Sequence, residues 1–249
     1  MSFPSRIEGR NGDQFRNSAN QGKTPLGTIM SLPDGREFRY ARAGVDLAPG
    51  KLAQESAVIS GHTKDLAVVA AVAVGETAIN ITLATTGVTA NQYAGGFLFV
   101  NDVDGEGQLC KIKSHPAQAS TSGNVVITVE DEDALRVALT TSSQVGLRLN
   151  PYDGVVVAPT THTGVVVGAS ICAVTTTYYC WLQTKGPAAM LTNGTVVLGL
   201  AVDRSGTTAG AVDVYPLNSG DTAGQEQVIG TVMSVASSTE YSLVNLNIA

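Results

Sequence analysis

The stretch from Val165 to Val202 constrains the fold of this chain more than any other. It carries Val165-Val166-Val167-Gly168, then Thr175 to Thr184 with Tyr178-Tyr179-Cys180-Trp181-Leu182 inside it, then Ala188 to Gly199. β-Branched and aromatic residues fit a pleated, half-buried surface, so three strands joined by tight turns are expected. Asn193-Gly194 accepts positive φ at both central turn positions, which predicts a two-residue hairpin pairing Met190–Thr192 with Thr195–Val197. The stretch holds the only Trp and two of the seven Tyr, the largest apolar side chains available to one sheet.

The rest of the chain repeats that rhythm. With 27 glycines, 14% charged and 5% aromatic residues, and without long helical heptads, the 249 residues read as many short strands cut by turns. The expected fold is mainly β. An N-terminal extended arm and β-hairpin (1–48) precede a β-rich middle lobe with one short helix (49–150) and a C-terminal β-rich lobe (151–249), both sandwich- or barrel-like. Asn150-Pro151-Tyr152-Asp153-Gly154 is the clearest boundary signal.

Charge is distributed unevenly behind a formal total of −6. From Met1 to Arg42 there are seven basic and four acidic residues, leaving eight basic and seventeen acidic for the remainder. An acidic body repels phosphate backbones and argues against nucleic acid as a partner, while the basic head suits an acidic protein surface. No apolar run approaches the roughly 20 residues that span a bilayer, and no charged-then-apolar leader opens the chain, so synthesis in a cytoplasm and no membrane partner are expected.

Ser2 to Thr24 has Phe3, Ile7 and Phe15 as its only large apolar residues and cannot build a core of its own. Fixing some 20 backbone residues costs roughly 20 to 40 kcal/mol, so order there requires a partner surface, and the segment is either a frayed terminus or an arm that orders against a neighbouring subunit. Leu26 to Tyr40 forms a hairpin around Pro33-Asp34-Gly35, with Arg36, Phe38 and Tyr40 on one face of a mixed edge that docks on something. The arm and hairpin thus supply the candidate partner interface: Phe3, Arg6, Ile7, Arg10, Phe15, Arg16, Arg36, Phe38 and Tyr40. In the middle lobe, Leu66 to Val74 reads as a buried strand, and Thr77 to Ala84 as a strand with one apolar face. Glu130-Asp131-Glu132-Asp133 would favour the positive end of a two-turn helix over Ala134–Leu139. Tyr241 to Ile248 alternates as a terminal strand that closes the sheet.

The residues offer little for chemistry. His62, His115 and His162 fall in predicted turns or loops, and no Gly-x-Ser-x-Gly elbow is present. Cys110, Cys172 and Cys180 lack CxxC spacing. If Cys172 and Cys180 share one extended strand, they lie roughly 26 Å apart, too far for a disulfide, and reduced buried thiols follow. The acidic turn Asn101–Gly107 has Lys113 where an EF-hand needs its twelfth-position carboxylate, and Gly22-Lys23-Thr24 lacks the earlier glycine of a phosphate loop. No catalytic residue, metal site or cofactor is expected.

Leu26-Gly27-Thr28, Leu32 to Tyr40, Asn91-Gln92-Tyr93-Ala94-Gly95-Gly96, Asn150 to Gly154 and Tyr179 to Thr184 together resemble phage virion proteins encoded beside capsid genes. The C-terminal lobe, with Asn193-Gly194, Gly199-Leu200-Ala201 and Ile229-Gly230-Thr231, is similar to capsid cement proteins in its glycine-turn and short-strand rhythm. That resemblance implies a non-enzymatic decoration protein on the outer capsid surface. It would be a homotrimer that clamps neighbouring copies of the major capsid protein. The alternative is a tail or capsid fibre protein for host-surface adhesion.

Overall fold

The computed structural model describes residues 5–84, 86–119, 122–215 and 227–248. It is mainly β, and among the described residues no helix reaches seven residues. In chain order the strands are β1 (Arg6–Glu8), β2 (Ile29–Ser31), β3 (Glu37–Ala43), β4 (Lys51–Gln54), β5 (Leu66–Ala67), β6 (Ala78–Thr82), β7 (Phe97–Asp102), β8 (Leu109–Ser114), β9 (Asn124–Val129), β10 (Gln144–Arg148), β11 (Asp153–Val157), β12 (Val166–Ser170), β13 (Tyr179–Leu191), β14 (Ala201–Arg204), β15 (Val212–Val214), β16 (Gly230–Ser234) and β17 (Tyr241–Asn247). They fall into two compact units, one of residues 57–150 and one built from 1–56 together with 151–249.

The three segments read from the sequence therefore become two units. The boundary at Asn150-Pro151 coincides with the edge of the middle unit, whose other edge lies at Ala57. The arm, the hairpin and the C-terminal strands form one body. The reason is the pairing of β4 with β11, Val156 opposite Gln54 and Val157 opposite Ala53, which makes residues 57–150 an insertion between two adjacent strands.

In the first unit β3, β11, β4, β12 and β13 form a ring, closed where β13 returns to pair with β3. The β3–β11 contact is parallel and the others antiparallel. A ring of five strands encloses less space than the eight-stranded barrels that side chains just fill. Its interior is accordingly small: Ala41, Ala43, Ala53, Val155, Val167, Cys180 and Leu182, with Leu47 and Val174. The two-residue period of a strand sends the alternate residues, Leu52, Val166 and Ala169, to the outer face of the ring. There they are buried with Met190, Val202, Val232, Val244 and Leu246 of the second layer. That layer exists because β13 runs for thirteen residues, pairing first with β3 and β12 and then, from Lys185 to Leu191, with β17. β16, β14 and β15 continue it.

On the other outer face of the ring Phe38, Tyr40, Tyr179 and Trp181 cluster, with the Tyr40 and Trp181 rings 4.9 Å apart. Residues from the N-terminal segment cover them: Ile7, Leu26, Met30 and Leu32. β1 joins β2 in parallel, Ser18 exchanges two backbone hydrogen bonds with Tyr179, and the Tyr40 hydroxyl donates to the Gln21 carbonyl at 3.0 Å. This corrects the expectation that the arm orders on a neighbouring subunit. The surface it needs is the aromatic face of its own ring. The Pro33-Asp34-Gly35 hairpin forms as expected, Gly35 taking a φ of 85°. β3 is no edge, since β2, β11 and β13 all pair with it.

The second unit is a six-stranded antiparallel sheet in the order β5-β10-β7-β8-β9-β6, and a bridge between Val68 and Ile81 brings its ends together into a nearly closed barrel. Inward alternation fills it with Ile79, Ile81, Leu98, Val100, Ile112, Val125, Ile127 and Val145. Leu66 to Val74 is not one buried strand. β5 covers two residues, and beyond it Val68 and Val72 point inward while Val69 and Val74 are exposed. Nor does a helix follow the acidic run. Asp131–Asp133 makes a single 3-10 turn without a side-chain cap, and Leu135 and Leu139 are buried through backbone bonds to Glu76 and Val72. The carboxylates have other partners, Asp133 accepting from the Lys111 backbone and Asp131 pairing with Lys113.

The Asn193-Gly194 hairpin is also absent. Met190 pairs with Ser242 of β17, and the Asn193 side chain instead donates to Thr207 and Asp213 while its backbone N–H donates to the Val212 carbonyl. β17, expected to close the sheet, lies between β13 and β16. Among the described residues no helix is long and apolar enough to cross a membrane.

Candidate functional site

The residues singled out for a partner interface separate into three groups. Phe3 lies outside the described residues. Phe38 is 0% exposed and Tyr40 8%, and Ile7 packs on the same cluster, so these three serve the chain's own core, which corrects their assignment to a partner contact. Arg6, Arg10, Phe15 and Arg16 reach solvent, and Arg36 is partly exposed. Arg6 pairs with Glu37, Arg16 with Asp13 and Arg36 with Asp34. The Arg36 guanidinium holds the Asp34 carboxyl below its ordinary range.

Phe15 and Arg36 meet in a shallow cleft of about 230 Å³, which Pro49, Gly50, Ile171, Gln183, Pro187, Ala188, Ala189 and Tyr241 complete. A 3-10 turn over Asp13–Phe15 sets the Phe15 ring there, and its start is pinned by Gly12 at a φ of 108° and by the Arg10 N–H donating to Asp13. Phe15 remains 53% exposed and Tyr241 49%, high values for aromatic rings that have a core to enter. Gly50, at a φ of 67°, lies against the Tyr241 ring, where a Cβ would collide with it.

The cleft opens onto the outer face of the second layer. Along β17 the exposed residues are Tyr241, Leu243, Asn245 and Asn247, and Ala189 and Pro187 of β13 stand opposite Leu243 and Asn245. Met233 of β16 is 46% exposed and Val235 beyond it 47%. Backbone bonds from Gly199 to Val232 and from Val232 to Leu200 set a turn beside β16 with Leu198 64% exposed. Exposed apolar side chains here are Phe15, Tyr241, Leu243 and Met233, interspersed with Asn245 and Asn247, and Lys185 and Asp34 line a neighbouring cleft with those amides. Contiguous exposed apolar surface rimmed by polar groups marks contact sites.

Sequence reasoning found Phe15 and Arg36 but missed Tyr241, Leu243, Met233 and Pro187. A signal was available, because Tyr241 and Leu243 share their strand parity with Asn245 and Asn247, and two amides on one face mark it as outward.

The groups considered for chemistry are occupied structurally. In the Asn101–Gly107 turn the Asn101 amide pairs with Asp65, Asp102 accepts from the Val103 backbone, and Asp104 accepts from the Thr140 hydroxyl. Among the described residues no three His, Cys, Asp or Glu side chains converge as metal ligands would. Cys172 and Cys180 do not share a strand, since Cys172 lies past the end of β12 and Cys180 on β13; Cys180 is in the core of the ring, and Cys172 packs against it partly buried. All three cysteines are free. Burial pushes the Cys110 and Cys172 thiols up, and that of Cys180 up to about 12. No family model, curated protein or solved structure matches the chain.

Proposed function

We propose that the chain is a structural virion protein that decorates a phage capsid and cements it by bridging neighbouring copies of the major capsid protein. Its role is contact, with no bond made or broken in a substrate. It acts as a homotrimer on the outer surface of the shell and is made in the host cytoplasm. The reading takes its direction from the resemblance of Leu26–Tyr40, Asn91–Gly96 and Asn150–Gly154 to such proteins. The observation that carries it is the exposed apolar face running from Phe15 and Tyr241 to Met233. Partly buried aromatic anchors ringed by neutral contacts are the usual source of binding energy at protein interfaces. Compared with a reading in which the arm does the bridging, the contact moves to the second layer, with Arg10, Phe15 and Arg16 as the arm's share.

Binding of purified protein to shells that lack it tests the reading. Phe15→Asp with Tyr241→Asp is expected to cost on the order of 3 kcal/mol or more in shell affinity, a loss of about 100-fold, while the chain stays folded. Full occupancy by the double variant would sink this face as the contact.

A second reading, host-surface adhesion, draws on the same two half-exposed rings, which offer flat faces to a sugar. Retention on host cell-wall glycan, abolished in the double variant with shell binding intact, would favour it.

A further inference from the structure

We propose that a His62–Tyr93–His115 cluster in the second unit is an acid-sensitive latch that holds together the end of the barrel where the chain enters and leaves. All three side chains are buried, His62 at 0%, Tyr93 at 1% and His115 at 4% exposure. The Tyr93 ring centroid lies 5.9 Å from each imidazole. Each residue comes from a different loop: 57–65 leading into β5, 83–96 joining β6 to β7, and 115–123 joining β8 to β9. Because neighbouring strands run antiparallel, these loops and the exit of β10 gather at one end of the barrel.

The partners dictate where the protons sit. A carbonyl only accepts and a backbone N–H only donates. His115 Nδ1 faces the Pro116 carbonyl at 2.9 Å and so carries the proton, and Nε2 accepts from the Tyr93 backbone N–H at 3.0 Å. His62 Nε2 donates to the Thr86 carbonyl at 2.9 Å, which leaves Nδ1 to accept from the Tyr93 hydroxyl at 2.8 Å. The backbone N–H at Nε2 therefore holds His115 neutral, and both rings bond to the same tyrosine. Other bonds tie the latch to the barrel. The Leu147 N–H of β10 donates to the His62 carbonyl, the Asn91 N–H to the His115 carbonyl, and the Gly95 N–H to the Ile112 carbonyl.

Protonation acts unequally on the two rings. The Tyr93 hydroxyl can rotate and accept from a protonated His62. The Tyr93 N–H cannot, so a proton on His115 Nε2 sets donor against donor and buries a cation. The groups facing His115 are Tyr93, the Asn91 side chain and the Pro116 carbonyl, and those facing His62 are Tyr93 and Thr86. Neither ring is bonded to a carboxylate, lysine or arginine among the described residues. Burial lowers the His115 pKa, with the bond to the Pro116 carbonyl pulling the other way.

The sign follows. Once the latch is open, His115 is free to titrate near its ordinary pKa of about 6.5. Below that pH the open state takes up a proton that the closed state refuses, so the closed state loses ground as pH falls towards the depressed closed-state value. The opening constant rises by up to about tenfold per pH unit for this imidazole.

Two measurements on the full chain test the proposal. The first is NMR titration of the imidazole Cε1–H signals; His115 is expected to titrate clearly below the ordinary imidazole value of about 6.5. The second is native-state amide exchange between about pH 8 and pH 4, corrected for intrinsic rates. Opening at Tyr93, Gly95 and Leu147 should increase by up to about tenfold per unit below about pH 6.5, while Leu182 and Val244 of the first unit do not follow. His115→Gln offers an amide oxygen to the Tyr93 N–H without titrating, and it should flatten that response. Should this variant misfold, the titration of the unmodified chain decides alone. His115 titrating at the ordinary imidazole value of about 6.5, or equal acid responses in the two units, would overturn the latch.

Discussion

The two units solve the problem of closing a sheet in opposite ways. The ring of five strands in the first unit is too narrow for large side chains, so alanines and valines line it and the large residues are displaced to its outside, where they need cover. The nearly closed barrel of six strands in the second unit holds isoleucines and leucines within itself and is finished at one end by a polar cluster. Strand number decides where the bulk goes. From this follow the arm folded over Phe38 and Trp181, the second layer over Leu52 and Val166, and the apolar outer face which that layer leaves in solvent.

The comparison is most easily broken with core truncations. Phe38→Ala should cost the first unit about 3 to 5 kcal/mol and Ile112→Ala the second about 2 to 5 kcal/mol, each read by calorimetry as a shift in one of two transitions. Both variants moving a single common transition would show that the cores are not separable. Overpacking sharpens the contrast. Ala53→Leu in the narrow ring should destabilise it by about 1 to 3 kcal/mol, whereas Val125→Ile in the wider barrel should cost less than about 1.5 kcal/mol in denaturant titrations.

Alkali provides a third probe. Cys180 has its thiol pushed from 9.0 up to about 12 by burial, so its contribution is complete below about pH 9 and drains away as pH rises towards 12. Within that window the unfolded state gives up a proton that the folded ring retains, and the first unit should lose on the order of 1.4 kcal/mol per pH unit. Cys180→Ala should remove its share of that slope in urea titrations at stepped pH, leaving the part due to Tyr40, Tyr152 and Cys172, whose pKa values burial also raises, against a fixed loss for the missing sulfur. The smallest effect is expected at the face itself. Phe15→Ser should change the stability of the first unit by no more than about 0.5 kcal/mol, and a large loss would mean that the ring supports the fold.

Several of these features were legible beforehand. Pro33-Asp34-Gly35 announced its hairpin through φ preferences that no tertiary contact had to supply, and alternation over Thr77–Ala84 and Tyr241–Ile248 announced strands with one buried face. Errors arose where a local preference met a competitor. The Asn193 amide found Thr207 and Asp213, so a residue pair suited to a hairpin did not make one. The acidic run at 130–133 found Lys113 and the Lys111 backbone, and the helix it would have favoured never started. In the site, Phe15 stood out as an apolar residue in a polar segment, but Tyr241 and Leu243 needed the parity of their strand to be read as outward.

By itself, then, the order of residues determined the class: short β strands, a positive-φ turn at Gly35, a unit edge at Asn150-Pro151, and a head segment unable to bury its own backbone. These depend on backbone torsion and on alternation, which act over a few residues. Only the tertiary structure decided that β4 and β11 pair across the inserted 57–150 unit, that the head lies on Tyr40 and Trp181 of its own chain, and that one face of β17 stays in solvent. Each of those is a choice between surfaces of similar apolar character far apart along the chain. It is settled by how many strands close each barrel, a quantity no local stretch of residues contains.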